Sequence, residues 1–416
     1  MKQRVHSGSS KGGVAAGLSV AVMVWWLSVA AAQGQFTLLR EFAGGSDGSQ
    51  PFGSVTVDGT TLYGMTLYGG SDGVGTVFKM NTDGTGFTLL RQFASSGSDG
   101  RYPYGSLTLS GSMLYGMTET GGGSDYGMVF RMNTDGTGFT ALRQFAGGVN
   151  DGGYPYGSLM LNGSTLYGMT RFGGDSDLGT VFKMNADGTG FSLLHEFLGG
   201  PNDGSWPYGS LTLSGSMLYG TTRFGGDTDR GTVFRINVNG TGFELLHKFV
   251  GGASDGSNPY GSLTLDGSTL YGMTSTGGNA DVGTVFRINT DGTGFSLLRK
   301  FAGGSADGSS PYGSLTLDGS TLYGMTSAGG DANAGTMFQM NTDGTGFSLL
   351  HEFAGGGTDG SAPNGSLTQD GLMIYGMTRS GGDADLGTVF SMVIPEPSSF
   401  VLMGVGALAF LPRRRR

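Results

Sequence analysis

Cysteine is absent from the 416 residues. That excludes disulfide scaffolds, cysteine-ligated zinc, thiol catalysis and redox roles. Histidine is nearly as scarce, with four in all, and charged residues make up only 13% of the chain. No window carries the spacing of an amphipathic helix, and the frequent glycines would each cost a helix about 1 kcal/mol. What abounds is glycine, 85 residues, against a usual share of about 7%. These glycines follow no triplet period, so the chain is not collagen-like. A hydrophobic share of 37%, with 26 Phe and 16 Tyr, is too high for a disordered chain.

The two ends read as address signals. Residues 1–32 have the form of a secretory signal peptide: Lys2, Arg4 and Lys11, then the apolar run Val14 to Val29, then Ala30-Ala31-Ala32 before Gln33. The plainer reading is an uncleaved N-terminal anchor. Residues 394–416 hold Pro395, Glu396 and Pro397, an apolar run from Phe400 to Leu411, and Arg413, Arg414, Arg415 and Arg416. Twelve apolar residues make about 18 Å of helix, short of the roughly 30 Å core of a bilayer. A short apolar stretch closed by arginines suits a processing signal better than a permanent span. This tail resembles the PEP-CTERM sorting signal. The resemblance implies recognition by an exosortase, a membrane-embedded cysteine transpeptidase, and export to the envelope, surface or extracellular matrix of a bacterium that makes exopolysaccharide. On this reading the membrane is met only through the tail, before processing.

Without these ends the charge balance shifts. Seven of the 23 basic residues lie in 1–32 and 413–416, and no acidic residue does, which leaves 16 basic against 32 acidic, a formal −16. Such a body repels nucleic acid and anionic lipid.

Between the ends one unit is copied seven times. Gly-Thr-Val-Phe and its variants end at Phe78, Phe130, Phe182, Phe234, Phe286, Phe338 and Phe390, each 52 residues after the last. Two more segments keep the same step, Pro-Tyr-Gly-Ser-Leu from Pro51 and Leu-Tyr-Gly-Met-Thr from Leu62, and a third, Phe-x-Leu-Leu-x-x-Phe from Phe36, keeps it after a first step of 51. Each is short, rich in aromatic and β-branched residues and bounded by Gly and Asp, as strands are. In chain order they are A (Pro-Tyr-Gly-Ser-Leu-Thr-Leu), B (Leu-Tyr-Gly-Met-Thr), C (Gly-Thr-Val-Phe) and D (Phe-x-Leu-Leu-x-x-Phe), joined A–B and C–D by Asp-Gly turns. Four antiparallel strands repeated seven times predict an all-β, seven-bladed β-propeller over residues 36–390. The body opens with a lone D and closes with A, B and C, so the N-terminal strand is expected to complete the last blade and close the ring. A β-solenoid is the alternative, but it has no use for a split unit.

The repeats, carried by the Leu-Tyr-Gly-Met-Thr and Gly-Thr-Val-Phe pair with Gly-Gly between them as in Gly277-Gly278, resemble the GloVer tandem-repeat family. That family pairs such repeats with various C-terminal anchors and brings no established catalytic residues.

In such a meander the D–A and B–C connections share one face. There the copies differ: Gln50, Tyr102, Tyr154, Trp206, Asn258, Ser310 and Ala362 precede the proline of A. Three neighbouring units concentrate Tyr102, Tyr104, Tyr154, Tyr156, Trp206 and Tyr208, with Phe172, Phe224, Arg171 and Arg223 nearby. Flat aromatic faces beside polar forks suit carbohydrate, and the same tyrosines recurring as Tyr260 and Tyr312 also fit plain packing. The loop aspartates, Asp203 and Asp229 among them, read as turn residues, with Ca²⁺ ligation as the weaker alternative. His195, His247 and His351 share one repeat position with Arg40, Arg91, Arg143 and Arg299, which is expected to be a solvated face.

No catalytic residues and no cofactor are assigned. The sequence points to an exported, non-enzymatic module that binds polysaccharide or a surface partner. The alternatives are a glycan lyase or hydrolase, since spacing alone leaves paired carboxylates open, and a structural matrix spacer.

Overall fold

A computed structural model describes residues 34–394. The signal-peptide and sorting-tail segments lie outside the described residues.

Seven antiparallel four-stranded sheets form the body, each in the order A-B-C-D. Blade 2 is typical, with A at Thr108–Ser110, B at Met113–Thr118, C at Met128–Asn133 and D at Thr140–Gln144. Blade 7 takes A, B and C from Thr368–Asp370, Met373–Thr378 and Thr388–Val393. Its D strand is Phe36–Glu41, paired from Phe36 opposite Met392 to Glu41 opposite Thr388. The propeller and its closure by the N-terminal strand are therefore as the repeat phase predicts.

Strands B and C belong together for a steric reason. Gly116 faces Phe130 in the ladder, and a Cβ there would stand 2.4 Å from the ring tip. The same holds from Gly64 with Phe78 to Gly376 with Phe390. Glycine inside a strand marks such a close approach. In most blades, strand D bulges opposite the Val–Phe step of C, so that Val129 faces Arg143 while Phe130 faces Ala141.

The apolar core sits between the blades. Tyr63, Met65, Val77 and Phe93 of blade 1 pack with Leu107, Leu114, Phe130 and Met132 of blade 2. The last seam joins Tyr375, Met377 and Val389 of blade 7, with Phe42, to Val55, Leu62 and Phe78 of blade 1. All of these residues lie within 34–394, so the ring completes its own core.

Strand A is shorter than the sequence pattern predicts, three residues in every blade. The Pro-Tyr-Gly-Ser stretch before it runs down the central axis instead. There the prolines have no N–H for a ladder, and the serine N–H bonds go to the next blade. Ser54 N–H donates to Ser106 Oγ at 2.8 Å, and the chain of bonds runs through Ser158, Ser210, Ser262 and Ser314 to Ser366, whose N–H returns to Ser54 Oγ at 2.8 Å. The preceding glycines allow this crowding: a Cβ on Gly105 would lie 2.3 Å from the Gly157 carbonyl oxygen.

Candidate functional site

The D–A and B–C connections share one face and are tied together there, by two-residue ribbons such as Gly152–Gly153 with Phe172–Gly173. The sequence pattern gave no sign of these ribbons, because they pair main chain and need no particular side chain beyond glycine.

The seven differing residues before the prolines have one conformation. Gln50, Tyr102, Tyr154, Trp206, Asn258, Ser310 and Ala362 all have φ between 51° and 58°. Left-handed backbone is costly for bulky side chains and free for glycine, yet in a chain with 85 glycines none stands here. Each is held from both sides. Trp206 N–H donates to the Leu178 carbonyl of blade 3, and its own carbonyl accepts from Arg223 N–H of blade 4. Backbone bonds to two blades thus impose the conformation, and the side chain is left to vary.

On blades 2 to 4 these side chains form a continuous arc. Tyr126 packs edge-on to Tyr154 (centroids 5.2 Å apart), Tyr154 to Phe172 (5.5 Å), Phe172 against Trp206 (5.4 Å) and Trp206 edge-on to Phe224 (5.3 Å). Tyr102 packs on Tyr68 instead, at 5.5 Å. Tyr126 is a member that sequence reasoning missed. Its signal was a single large residue at a B–C position that holds Val, Leu, Arg or Ala elsewhere.

Inside the arc the guanidinium of Arg171 lies 4.7 Å from the Phe172 centroid and pairs with Glu119 at 3.4 Å. Burial raises the Glu119 pKa, and Arg171 opposes the rise. Arg223 lies over Phe224 and Tyr260, both at 4.7 Å, with Tyr208 Oη 3.4 Å from its Nη1.

Tyr104, Tyr156 and Tyr208 stand further in, on the axis. With Phe52, Tyr260 and Tyr312 they make a chain of rings, from Tyr104 stacked on Tyr156 at 4.3 Å to Tyr260 edge-on to Tyr312 at 4.8 Å. Burial pushes the phenols of Tyr104 and Tyr260 up to about 12, and that of Tyr156 higher still. The seventh position is Asn364. Beside this gap opens a basin of about 390 Å³, walled by Tyr104, Tyr156, Tyr260 and Tyr312 and on its open side by Ser327, Ala362, Asn364 and Arg379. The hollow therefore lies toward blades 6, 7 and 1, beside Ser327 and Ala362, and not over the arc of large residues. Sequence reasoning weighted bulk; the signal it passed over was the one missing ring, at Asn364.

The aspartates close turns. Asp203 accepts from Leu198 N–H (3.0 Å) and Gly204 N–H (2.7 Å) and faces His195 Nε2 at 3.1 Å. Asp229 accepts from Gly225 N–H at 2.8 Å. Among the described residues no cluster of three or more His, Cys, Asp or Glu is placed to hold a metal.

The Arg/His position differs from the solvated face expected of it. Each side chain is half-buried, pairs with the D–A aspartate and lies flat on the first Phe of the next D strand. Arg91 meets Asp99 at 2.7 Å and sits 3.4 Å over Phe139; His247 meets Asp255 at 3.2 Å and stacks on Phe295 at 3.6 Å. Arg and His exchange here because both are flat and both carry N–H groups to a carboxylate.

These features define a closed seven-bladed β-propeller that gathers its variable residues around an axial basin on one face. The chain belongs to the Gloeobacter/Verrucomicrobia repeat family, whose model matches residues 13–216 and 162–390. A second match, to the PEP-CTERM protein-sorting motif, covers residues 393–416. That motif marks the chain for export to the cell envelope or surface and implies recognition by an exosortase. Among the described residues, no helix is long and apolar enough to cross a membrane. No curated protein matches the chain.

Among solved structures the chain is similar to an oligogalacturonate lyase in complex with manganese, at 14% identity and TM-score 0.56, over 87% of this chain and 94% of that one. It is also similar to a putative 6-phosphogluconolactonase from Bacteroides uniformis, at 17% and 0.50, over 81% and 91%. A puromycin-hydrolyzing peptidase of Mycobacterium tuberculosis matches at 13% and 0.52, over 86% of this chain and 55% of that one. At these identities the likeness is one of fold, which many chemistries share.

Proposed function

We propose that this exported propeller is a non-enzymatic binding module whose D–A/B–C face holds polysaccharide at the cell surface. One observation carries the reading: the residues that differ between near-identical blades collect on one face, around an aromatic-walled basin. Residues that serve only the fold are copied; those that differ are held on strained backbone at the loops, where binding residues gather. Tyr104, Tyr156, Tyr260 and Tyr312 offer flat faces to sugar C–H groups, and Asn364 and Ser327 offer hydrogen bonds to hydroxyls. Tyr102, Tyr154, Trp206, Phe172 and Phe224 would extend contact to a longer chain. The loop aspartates act as turn residues in this reading, with no cofactor.

Residues 34–394 contain one Trp, Trp206, so its fluorescence reports on the face. Titration of this segment with a panel of polysaccharides should give a saturable change that Tyr154→Ala weakens and chelator leaves intact. A flat response from folded protein would turn the face into a matrix spacer. Release of new reducing or unsaturated ends would make it a glycan-degrading enzyme.

A further inference from the structure

The basin carries positive charge on an acidic body. Of the residues lining it, Arg379 carries the only charge. Arg379 is exposed, its Nε donates to Gln50 Oε1 at 3.3 Å, and no carboxylate pairs with it among the described residues. Arg223 reaches toward the basin from the far side, 4.7 Å from the centroid of the Tyr260 wall, and it too lacks a carboxylate among the described residues. Arg171 is the third guanidinium around the ring of tyrosines, and Glu119 is its one acid. By contrast the D-strand arginines Arg91, Arg143 and Arg299 each have an aspartate within 2.8 Å. In a body of formal −16, the basin thus has a free guanidinium in its lining and no acid.

We propose that the basin binds a uronate unit of an acidic polysaccharide, with Arg379 taking the sugar carboxylate and Asn364 and Ser327 the hydroxyls. The inference rests on the polysaccharide reading above and names the class of sugar. Its volume lies in the range of about 300–1,000 Å³ usual for small-ligand sites. A guanidinium fork matches a carboxylate in two parallel bonds. The tyrosine walls exclude water from one side of that pair and strengthen it. The open side, where Ala362 and Asn364 leave room, lets the polymer run out over the rim.

The test uses residues 34–394 and two matched probes: alginate oligosaccharides, which are all uronate, and the same oligosaccharides with their carboxyls reduced to alcohols. Calorimetry should show the acidic probe binding at least about tenfold tighter, the order of one charge-assisted bond, with affinity falling as salt rises. Arg379→Gln should erase that preference, bringing the acidic probe to the affinity of the reduced one, with the melting temperature unchanged. Asn364→Tyr, which completes the ring and fills the basin, should abolish both. Equal binding of the two probes, indifferent to Arg379→Gln, would overturn the uronate assignment and leave a neutral-sugar site. Binding of neither would remove the polysaccharide reading and this inference with it.

Discussion

A position that accepts both arginine and histidine in one ring is asked for shape as well as charge. His195 stacks on Phe243 at 3.7 Å, and Arg143 lies 3.8 Å over Phe191. Both hold the aspartate that shapes the next D–A loop, Asp203 and Asp151. The guanidinium offers that carboxylate a fork of N–H donors, where the imidazole offers one ring nitrogen. His195→Arg should therefore stabilise the ring by up to about 1 kcal/mol, as read by melting temperature. Asp203→Ala removes the acceptor for three donors and should cost about 1–3 kcal/mol. If the first variant were neutral, the stack alone would hold the seam.

At the scale of the element, the C–D turns share one capping device. Asp83, Asp135, Asp187, Asp291 and Asp343 each accept from the hydroxyl and the N–H of the threonine two residues on, which lowers their pKa. A carboxylate lowered in the fold adds stability above its unfolded value of about 3.9, and that share is lost as pH falls through the lower folded value. Blade 4 supplies the control: Asn239 makes the same two bonds to Thr241 and cannot titrate. Changing the five aspartates to asparagine should flatten the acid limb of a melting-temperature profile below about pH 4; an unchanged limb would assign acid loss to other groups.

The strands were legible because each repeats a hydrophobic signature at a fixed step. Their ends were not, since Pro103 to Ser106 read as strand until the axis shows that their bonds go sideways to the next blade. The variable face was legible as differences among copies. The basin was not, because Asn364 and Ala362 matter by what they leave empty, and a gap needs the positions of the other six rings. The clasp at Arg91 or His247 was misread as exposed because its stacking partner lies a whole repeat away, at Phe139 or Phe295.

On the scale of the molecule, three rings run through all seven blades and each must close across the ends of the body. The serine ring closes from Ser366 to Ser54. The clasp closes twice through the N-terminal strand, His351 stacking on Phe36 at 3.9 Å and Arg40 lying 3.6 Å over Phe87. The apolar seams close through Phe36 in one cluster and Phe42 in the next. One segment, the strand Phe36–Glu41 with Phe42 after it, thus serves both seams of blade 7. Removing residues 34–42 should leave strand Thr388–Val393 with an open edge, expose Phe390 and Phe353, and lower the melting temperature far more than removing an equal length of surface loop would. A synthetic peptide of residues 34–44 should restore the loss when added in trans, because the vacant edge and its apolar seams are preformed by the other blades. Proteolysis and small-angle scattering read the outcome: the truncated chain should be cleaved within blades 1 and 7, whose facing edges are freed, and scatter as an opened ring, and the peptide should reverse both. A truncated chain that stays compact and resistant would show that the serine ring and blade packing close the circle without the strand.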